Sequence, residues 1–298
     1  MNLEDKTIRI VPYRRAQAAW NLALEEALYI KSLEKLKDEG TFIPIVRLYS
    51  FSSPSVILGN RQRISEIDYT YCIKNNVEVT MRKTGGGSVY LGRNDIQYTF
   101  ILPVRYSRDI LFSINSQLVN GLTRAGYTPV LTEENNHPVI RLQQKSFVFD
   151  AQKRSIIYNG DIENPKFAIL HHGTILIDNR DYDHMPSALK ADKKTLEKIQ
   201  KGNVWLARYR FITEQLIVDA LQRSLPFAIS QSFVQDYTAE EIILAKELYQ
   251  DFYANPEKFS DGKKRYGICY IPTLMDKSTE YDMEKYVEQE VSAYHGSA

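Results

Sequence analysis

The residues best able to do chemistry in this chain lie in one string, Arg82-Lys83-Thr84-Gly85-Gly86-Gly87-Ser88-Val89-Tyr90. Three consecutive glycines between two β-type runs let backbone N–H groups converge on a ligand, and permit a closer approach than any Cβ would allow. Such a loop could cradle a phosphate or a flat acyl-adenylate, with Arg82 and Lys83 neutralising the anion. The competing reading is a plain loop flanked by solvated cations. The string fits neither GxxxxGK(S/T) nor GxGxxG, and it is followed by a strand where those motifs require a helix.

A second candidate is His171-His172-Gly173-Thr174, at the end of an apolar run. Neighbouring residues of a strand point to opposite faces, so at most one of the two histidines faces a site. With five histidines in the chain and no spaced partner, no metal site is expected. Asp150-Ala151-Gln152-Lys153-Arg154 reads as a hairpin turn between two strands; Lys153 and Arg154, with Lys145 before them, could offer a cation to an acyl-phosphate or could form a solvated tip. Cys72 and Cys269 are the only cysteines and lack CxxC spacing, which predicts two ordinary reduced thiols.

These groups need elements to position them. Ala18 to Leu36 has apolar residues at helical spacing, interrupted by Glu25 and Glu26. Short β-type runs follow at 45–49, 55–59, 77–82 and 96–102, separated by Pro, Ser, Asn and Gly. Helical stripes recur at 109–125, 189–201 and 213–225. A further helix over 238–253 opens with Thr238 and Glu241 at capping-box spacing. Between them, residues 127–176 alternate as strands. The least structured stretch, Pro226 to Ser232, divides the chain into residues 1–230 and 231–298.

Of the 298 residues, 43% are hydrophobic and 25% charged, and 38 Lys and Arg face 37 Asp and Glu, for a net charge of +1. That balance gives no global pull toward nucleic acid or an anionic membrane, so recognition must be local. The 20 tyrosines are scattered and form no base-stacking platform. No run approaches the ~18 apolar residues of a membrane span, and the polar, acidic start is unlike a secretory signal. A cytoplasmic protein is expected.

Taken in order, the motifs resemble the lipoate–protein ligase A family of the biotin/lipoate ligase and octanoyltransferase superfamily. Asn21-Leu22-Ala23-Leu24-Glu25-Glu26 is similar to the family's first helix. Arg47-Leu48-Tyr49 and Pro54 to Gln62 are similar to its first strand pair, Arg82 to Tyr90 to its glycine loop, and His171 to Leu176 to its HHGTLL strand. The resemblance implies an α+β fold of mixed and antiparallel sheets flanked by helices, with a small α/β C-terminal domain. It implies a reaction in which lipoate is activated by ATP and Mg²⁺ to lipoyl-AMP. The acyl group then passes to a lysine of a lipoyl domain of a 2-oxoacid dehydrogenase complex, or of an H-type protein.

By the same resemblance, Arg82 contacts the adenylate phosphate and acyl carbonyl. Thr84, Gly85, Gly86, Gly87, Ser88 and Val89 line the phosphate loop and acyl tunnel, and His172, Gly173 and Thr174 border the adenylate. Asp95 or Asn94 stands for the family's asparagine; Leu91-Gly92 replaces its usual His-Asp. The family's lysine string falls on Ile156-Ile157-Tyr158-Asn159-Gly160, which puts Ile157 at the lysine position. Lys153 is the candidate replacement through a shifted register, and Lys145 by reaching from a neighbouring strand. Two alternatives stay open: an acyltransferase using a pre-activated donor, and a non-catalytic module binding lipoate or the acceptor.

Overall fold

The computed structural model describes residues 7–135, 137–157, 164–209, 213–224 and 232–259. Gly160, the C-terminal stretch 260–298 and Cys269 lie outside them.

The expected runs form strands β1 (Ile8–Ala16), β2 (Ile45–Phe51), β3 (Ser55–Leu58), β4 (Glu78–Met81), β5 (Val89–Leu91) and β6 (Ile96–Leu102). Strands β7 (Val130–Glu134), β8 (His137–Leu142), β9 (Lys145–Ser146), β10 (Val148–Ile157), β11 (Lys166–Ile175) and β12 (Ser232–Val234) follow. The helices are α1 (Ala18–Glu39), α2 (Tyr69–Lys74), α3 (Arg108–Arg124), α4 (Met185–Ala188), α5 (Lys193–Gly202), α6 (Glu214–Gln222) and α7 (Ala239–Leu248). The main sheet runs β10-β11-β6-β2-β1-β12, with smaller sheets β4-β3-β5 and β7-β8-β9. This is the mixed α+β architecture expected. One face of the main sheet carries an apolar core that joins Tyr98, Phe100 and Ile169 to Ile114 and Leu118 of α3 and to Ile217 and Leu221 of α6.

The other face carries α1. Its first turn has no acidic residue, and the carboxylate of Glu78 on β4 serves instead, accepting from the N–H groups of Ala18 and Ala19 at 2.8 Å each. An anion there satisfies orphan donors and complements the helix dipole. Gly40 at φ +74° ends the helix. Because α1 is covered on its outer side by α7, through Leu24, Ala27 and Ala245, it is buried nearly all round. Glu25 and Glu26 are therefore enclosed, 5% and 7% exposed.

Two expectations are corrected. Asp150 to Arg154 is no hairpin turn: β10 runs unbroken and pairs with β11 from Val148–Ile175 to Ile157–Lys166. Its polar residues alternate across a half-buried strand, which a reading of polarity alone mistakes for a turn. The helix expected from Leu189 begins at Lys193, where Asp192 accepts from the N–H of Thr195 at 2.7 Å, after Lys190 at φ +49°. The segment expected to open a second domain at 231 supplies β12, parallel to β1, and α7 with the predicted Thr238–Glu241 capping box.

Candidate functional site

The glycine loop is held from beneath. Arg82 directly follows β4 and is 8% exposed. Its guanidinium donates to the carbonyls of Gly85 (3.2 and 2.7 Å), Gly87 (2.9 Å) and Ile57 (3.1 Å). Burial pulls its pKa down to about 10, so it stays cationic at neutral pH. Arg82 therefore shapes the loop from inside, whereas the resemblance had it contact the phosphate directly.

The third carbonyl, of Gly86, lies against Gly59: a Cβ on Gly59 would sit 2.0 Å from it. In a trans peptide each C=O is opposed by the next N–H. With the carbonyls of Gly85, Gly86 and Gly87 all drawn inward, the N–H groups of Gly86, Gly87 and Ser88 turn outward. Gly86 and Gly87 are exposed and Ser88 is half-buried, so these donors are open to an anion, as in a nest. Gly86 sits at φ +95°, which favours glycine. Ser88 donates to Gln62 Oε1 at 3.0 Å, which also accepts from Gly59 N–H at 3.0 Å, and Val89 begins β5. Gly59→Ala is accordingly expected to displace the loop, cost about 1–3 kcal/mol by overpacking and lower acyl transfer at least tenfold, as checked by thermal unfolding and an acceptor-acylation assay.

Behind the loop, His172 Nε2 is 2.8 Å from Thr84 Oγ1, and His172 Nδ1 is 2.7 Å from Glu25 Oε1. Glu25 Oε2 accepts from Thr99 Oγ1 at 2.5 Å and Tyr49 OH at 3.3 Å. Burial pushes the Glu25 carboxyl upward, but the His172 charge, hydrogen bonds from His172 and Thr99, and the Arg47 charge outweigh it and hold the group below its ordinary value. Arg47, fully buried, stacks 3.9 Å from the centre of Tyr49 and bonds the carbonyl and side chain of Asn21.

The histidine pair divides as strand alternation requires. His171 points to the opposite face, fully buried near the rings of Tyr98 and Phe100 and pushed down to about 4 by burial, hence neutral. Gly173 serves packing: a Cβ there would lie 2.3 Å from the Phe149 carbonyl and 2.4 Å from Tyr98 OH. Thr174 lies on the His172 side, its buried hydroxyl without a hydrogen-bond partner among the described residues.

Thr84 also lines a small cavity with Glu25, Glu26, Tyr29, Lys83, Lys153, Leu170 and Tyr253. Lys153 arrives because β10 is continuous: Lys153 and Ser155 share the α1 face, where Tyr29 OH meets Ser155 Oγ at 2.8 Å and Lys153 Nζ lies 5.6 Å from the Tyr29 ring centre. Lys83 Nζ is 3.6 Å from Glu26 and 3.9 Å from the Phe252 ring centre, and Tyr253 OH donates to Glu26 at 2.8 Å. Lys145 is in β9 of a different sheet and does not line the cavity. Asp95 is also apart: fully buried, its carboxylate accepts from the N–H groups of Gly92 and Ile177 and from Tyr182 OH, bracing the β5–β6 turn against the end of β11. The sequence reading missed Glu25 and Tyr253 as parts of this site. Two glutamates inside an otherwise apolar helical stripe were the available signal for Glu25.

Residues 17–225 match the lipoyl protein ligase A/B catalytic domain family. The chain belongs to that family. It is 29% identical over 251 residues to lipoate-protein ligase A subunit 1 of Thermoplasma acidophilum, covering 80% of this chain and 90% of that protein. It is 23% identical over 255 residues to octanoyltransferase LipM of Carboxydothermus hydrogenoformans, covering 80% and 91%. A solved structure from the study of a bipartite archaeal lipoate protein ligase and its E2 lipoyl domain, from T. acidophilum, superposes with a TM-score of 0.67 at 23% identity, covering 84% of this chain and 94% of that one. Its relatives include both lipoate–protein ligases and octanoyltransferases, so the chain is an enzyme that acts in lipoylation.

Proposed function

We propose that the protein is a lipoate–protein ligase. It would join lipoate to AMP at the expense of ATP and pass the acyl group to a lysine of a lipoyl domain or an H-type protein, in the cytoplasm. The observation that carries this is the nest: three outward N–H donors, shaped by Arg82 and adjoining Lys83, suit the α-phosphate of an acyl-adenylate. The acyl carbonyl would lie toward Thr84 and Lys153. Lys153 supplies the cation there that the family's string supplies elsewhere. Positioning and electrostatics then lower the barrier for attack of the lysine amine on the acyl carbonyl, with AMP as leaving group.

Mg²⁺ fits only as a companion of the nucleotide. No group of three or more His, Cys, Asp or Glu side chains among the described residues could hold a metal ion, and Mg²⁺ is commonly bound through substrate phosphates. No helix among the described residues is long and apolar enough to cross a membrane.

The activation step is tested by lipoate-dependent release of pyrophosphate from ATP. Release that requires lipoate is expected; no release would overturn activation by this chain. A cysteine acyl-enzyme is disfavoured among the described residues. Cys72 is fully buried in α2 and burial, aided by the Asp68 charge, pushes its thiol up to about 11. Cys72→Ala is expected to retain acyl transfer within about threefold, and the native thiol to resist alkylation at neutral pH, both read by mass spectrometry.

A further inference from the structure

We propose that Arg105 and Arg154, at the outer edge of the main sheet, form the surface on which the acceptor protein docks an acidic face while its target lysine passes over that edge to the cavity. The inference rests on the reading of the cavity as an acyl-transfer site and names the chemistry of the partner that reaches it. Three observations support it.

The first is position. β10 is the outermost strand of the main sheet. Lys153 and Arg154 are consecutive on it, so their side chains leave opposite faces. Lys153 lines the cavity on the α1 face, whereas Arg154, paired with Ile169, is exposed on the α3 face. The two faces meet at the outer edge of β10. An acceptor seated across that edge touches Arg154 while its lysine points toward Lys153.

The second is charge. Arg105 and Arg154 are exposed, and among the described residues neither has a carboxylate partner, unlike Arg93 and Arg180, which pair with Asp181 and Asp178. Lys166, exposed on the α1 face opposite Ile157, is a third cation without one. In a chain of net charge +1, unpaired cations gathered at one corner of a sheet make a local positive surface whose complement is acidic. Its place beside the cavity selects the acceptor among acidic partners.

The third is preorganisation. Arg154 Cζ lies 3.3 Å from the Tyr106 ring centre, and Arg105 Cζ lies 5.3 Å from that of Phe167. Phe167 pairs with Ile156, two residues along β10 from Arg154 and on the same face, so both guanidinium groups stand over the same corner. A guanidinium laid on a ring keeps its N–H edge free for a bidentate carboxylate, and little further side-chain freedom is lost when one binds.

The test is steady-state acylation from synthetic lipoyl-AMP. The acceptors are an apo lipoyl domain with Asp and Glu beside its lysine, and the same domain with those residues changed to Asn and Gln. Arg105→Glu/Arg154→Glu should raise KM for the acidic domain about tenfold or more at low salt, with kcat within about twofold, because rim charges act on encounter. The difference should fade toward about 1 M salt, where the Debye length is about 3 Å. The neutralised domain should not distinguish variant from wild type, and lipoate-dependent pyrophosphate release should be equal in the two. Arg105→Gln/Arg154→Gln should give an intermediate KM, and cooperative thermal unfolding shows that each variant is folded. An unchanged KM for the acidic domain, or an equal rise for both domains, overturns the docking surface and leaves the ligase reading standing. If the wild type acylates neither domain, the acyl-transfer reading fails, and calorimetric binding of the acidic domain decides the surface alone. Salt-sensitive binding that the Glu variant loses upholds it; no binding to the wild type overturns it.

Discussion

Arg82→Ala is expected to abolish detectable lipoyl-adenylate binding and to lower stability by about 3 kcal/mol. Removing the guanidinium leaves the carbonyls of Ile57, Gly85 and Gly87 without their donor, and each buried acceptor so stranded costs about 1–3 kcal/mol, offset where loop carbonyls swing out to water. That swing is the functional loss. Once the carbonyls leave the interior, the N–H groups opposite them no longer converge, and the nest goes even though no glycine has changed. Arg82→Lys should do nearly as much damage, because one ammonium cannot span three carbonyls that a planar fork reaches together. Equilibrium unfolding measures the stability term and calorimetric titration of a lipoyl-adenylate analogue measures the binding term. Unchanged affinity in Arg82→Ala would refute the scaffold role.

The second large effect is expected at Glu25. Glu25→Gln leaves His172, Thr99 and Tyr49 facing a neutral amide at a position 5% exposed. Truncating one partner of a buried charged pair typically costs 3–5 kcal/mol, and the isosteric amide should fall near the low end, about 3 kcal/mol. The pH dependence carries a sign. The folded-state carboxyl lies below its ordinary value of 4.5, so its contribution is present above about pH 4.5 and is lost as pH falls through the lower folded value. Acid unfolding of the wild type should therefore steepen below pH 4.5, and Glu25→Gln should flatten that limb. Urea unfolding at a series of pH values checks both, and parallel limbs in the two proteins would contradict the assignment.

Much of this site was legible in the sequence because its signals are steric and local. Three glycines in a row can be read without a structure, and the parity of a strand predicted that His171 and His172 would part to opposite faces. The pairing of His172 with Glu25 was out of reach. It spans 147 residues and exists only because β11 pairs with β6 while α1 docks on the same face. The hydrogen bonds of Arg82 were out of reach for a related reason: a cation beside a glycine loop invites a ligand-binding reading, and only the three-dimensional path of the loop shows the carbonyls of Gly85 and Gly87 accepting from it as well. Lys153 lines the cavity from a continuous strand, where the sequence suggested a turn. A stretch of five residues with four polar ones, Asp150 to Arg154, carries no local mark distinguishing it from a hairpin tip, and the alternation that directs Lys153 toward α1 is set by its long pairing with β11.

On this account the chain makes lipoyl-AMP and passes its lipoyl group to an acceptor lysine. The direct measurement is the intact mass of a lipoyl-domain acceptor after incubation with the protein, lipoate, ATP and Mg²⁺, with synthetic lipoyl-AMP as a parallel arm. A gain of one lipoyl group in both arms, dependent on ATP in the first, is the predicted result. Gain from lipoyl-AMP alone would contradict the ligase and leave a transferase, and no gain in either arm would contradict catalysis at this site altogether.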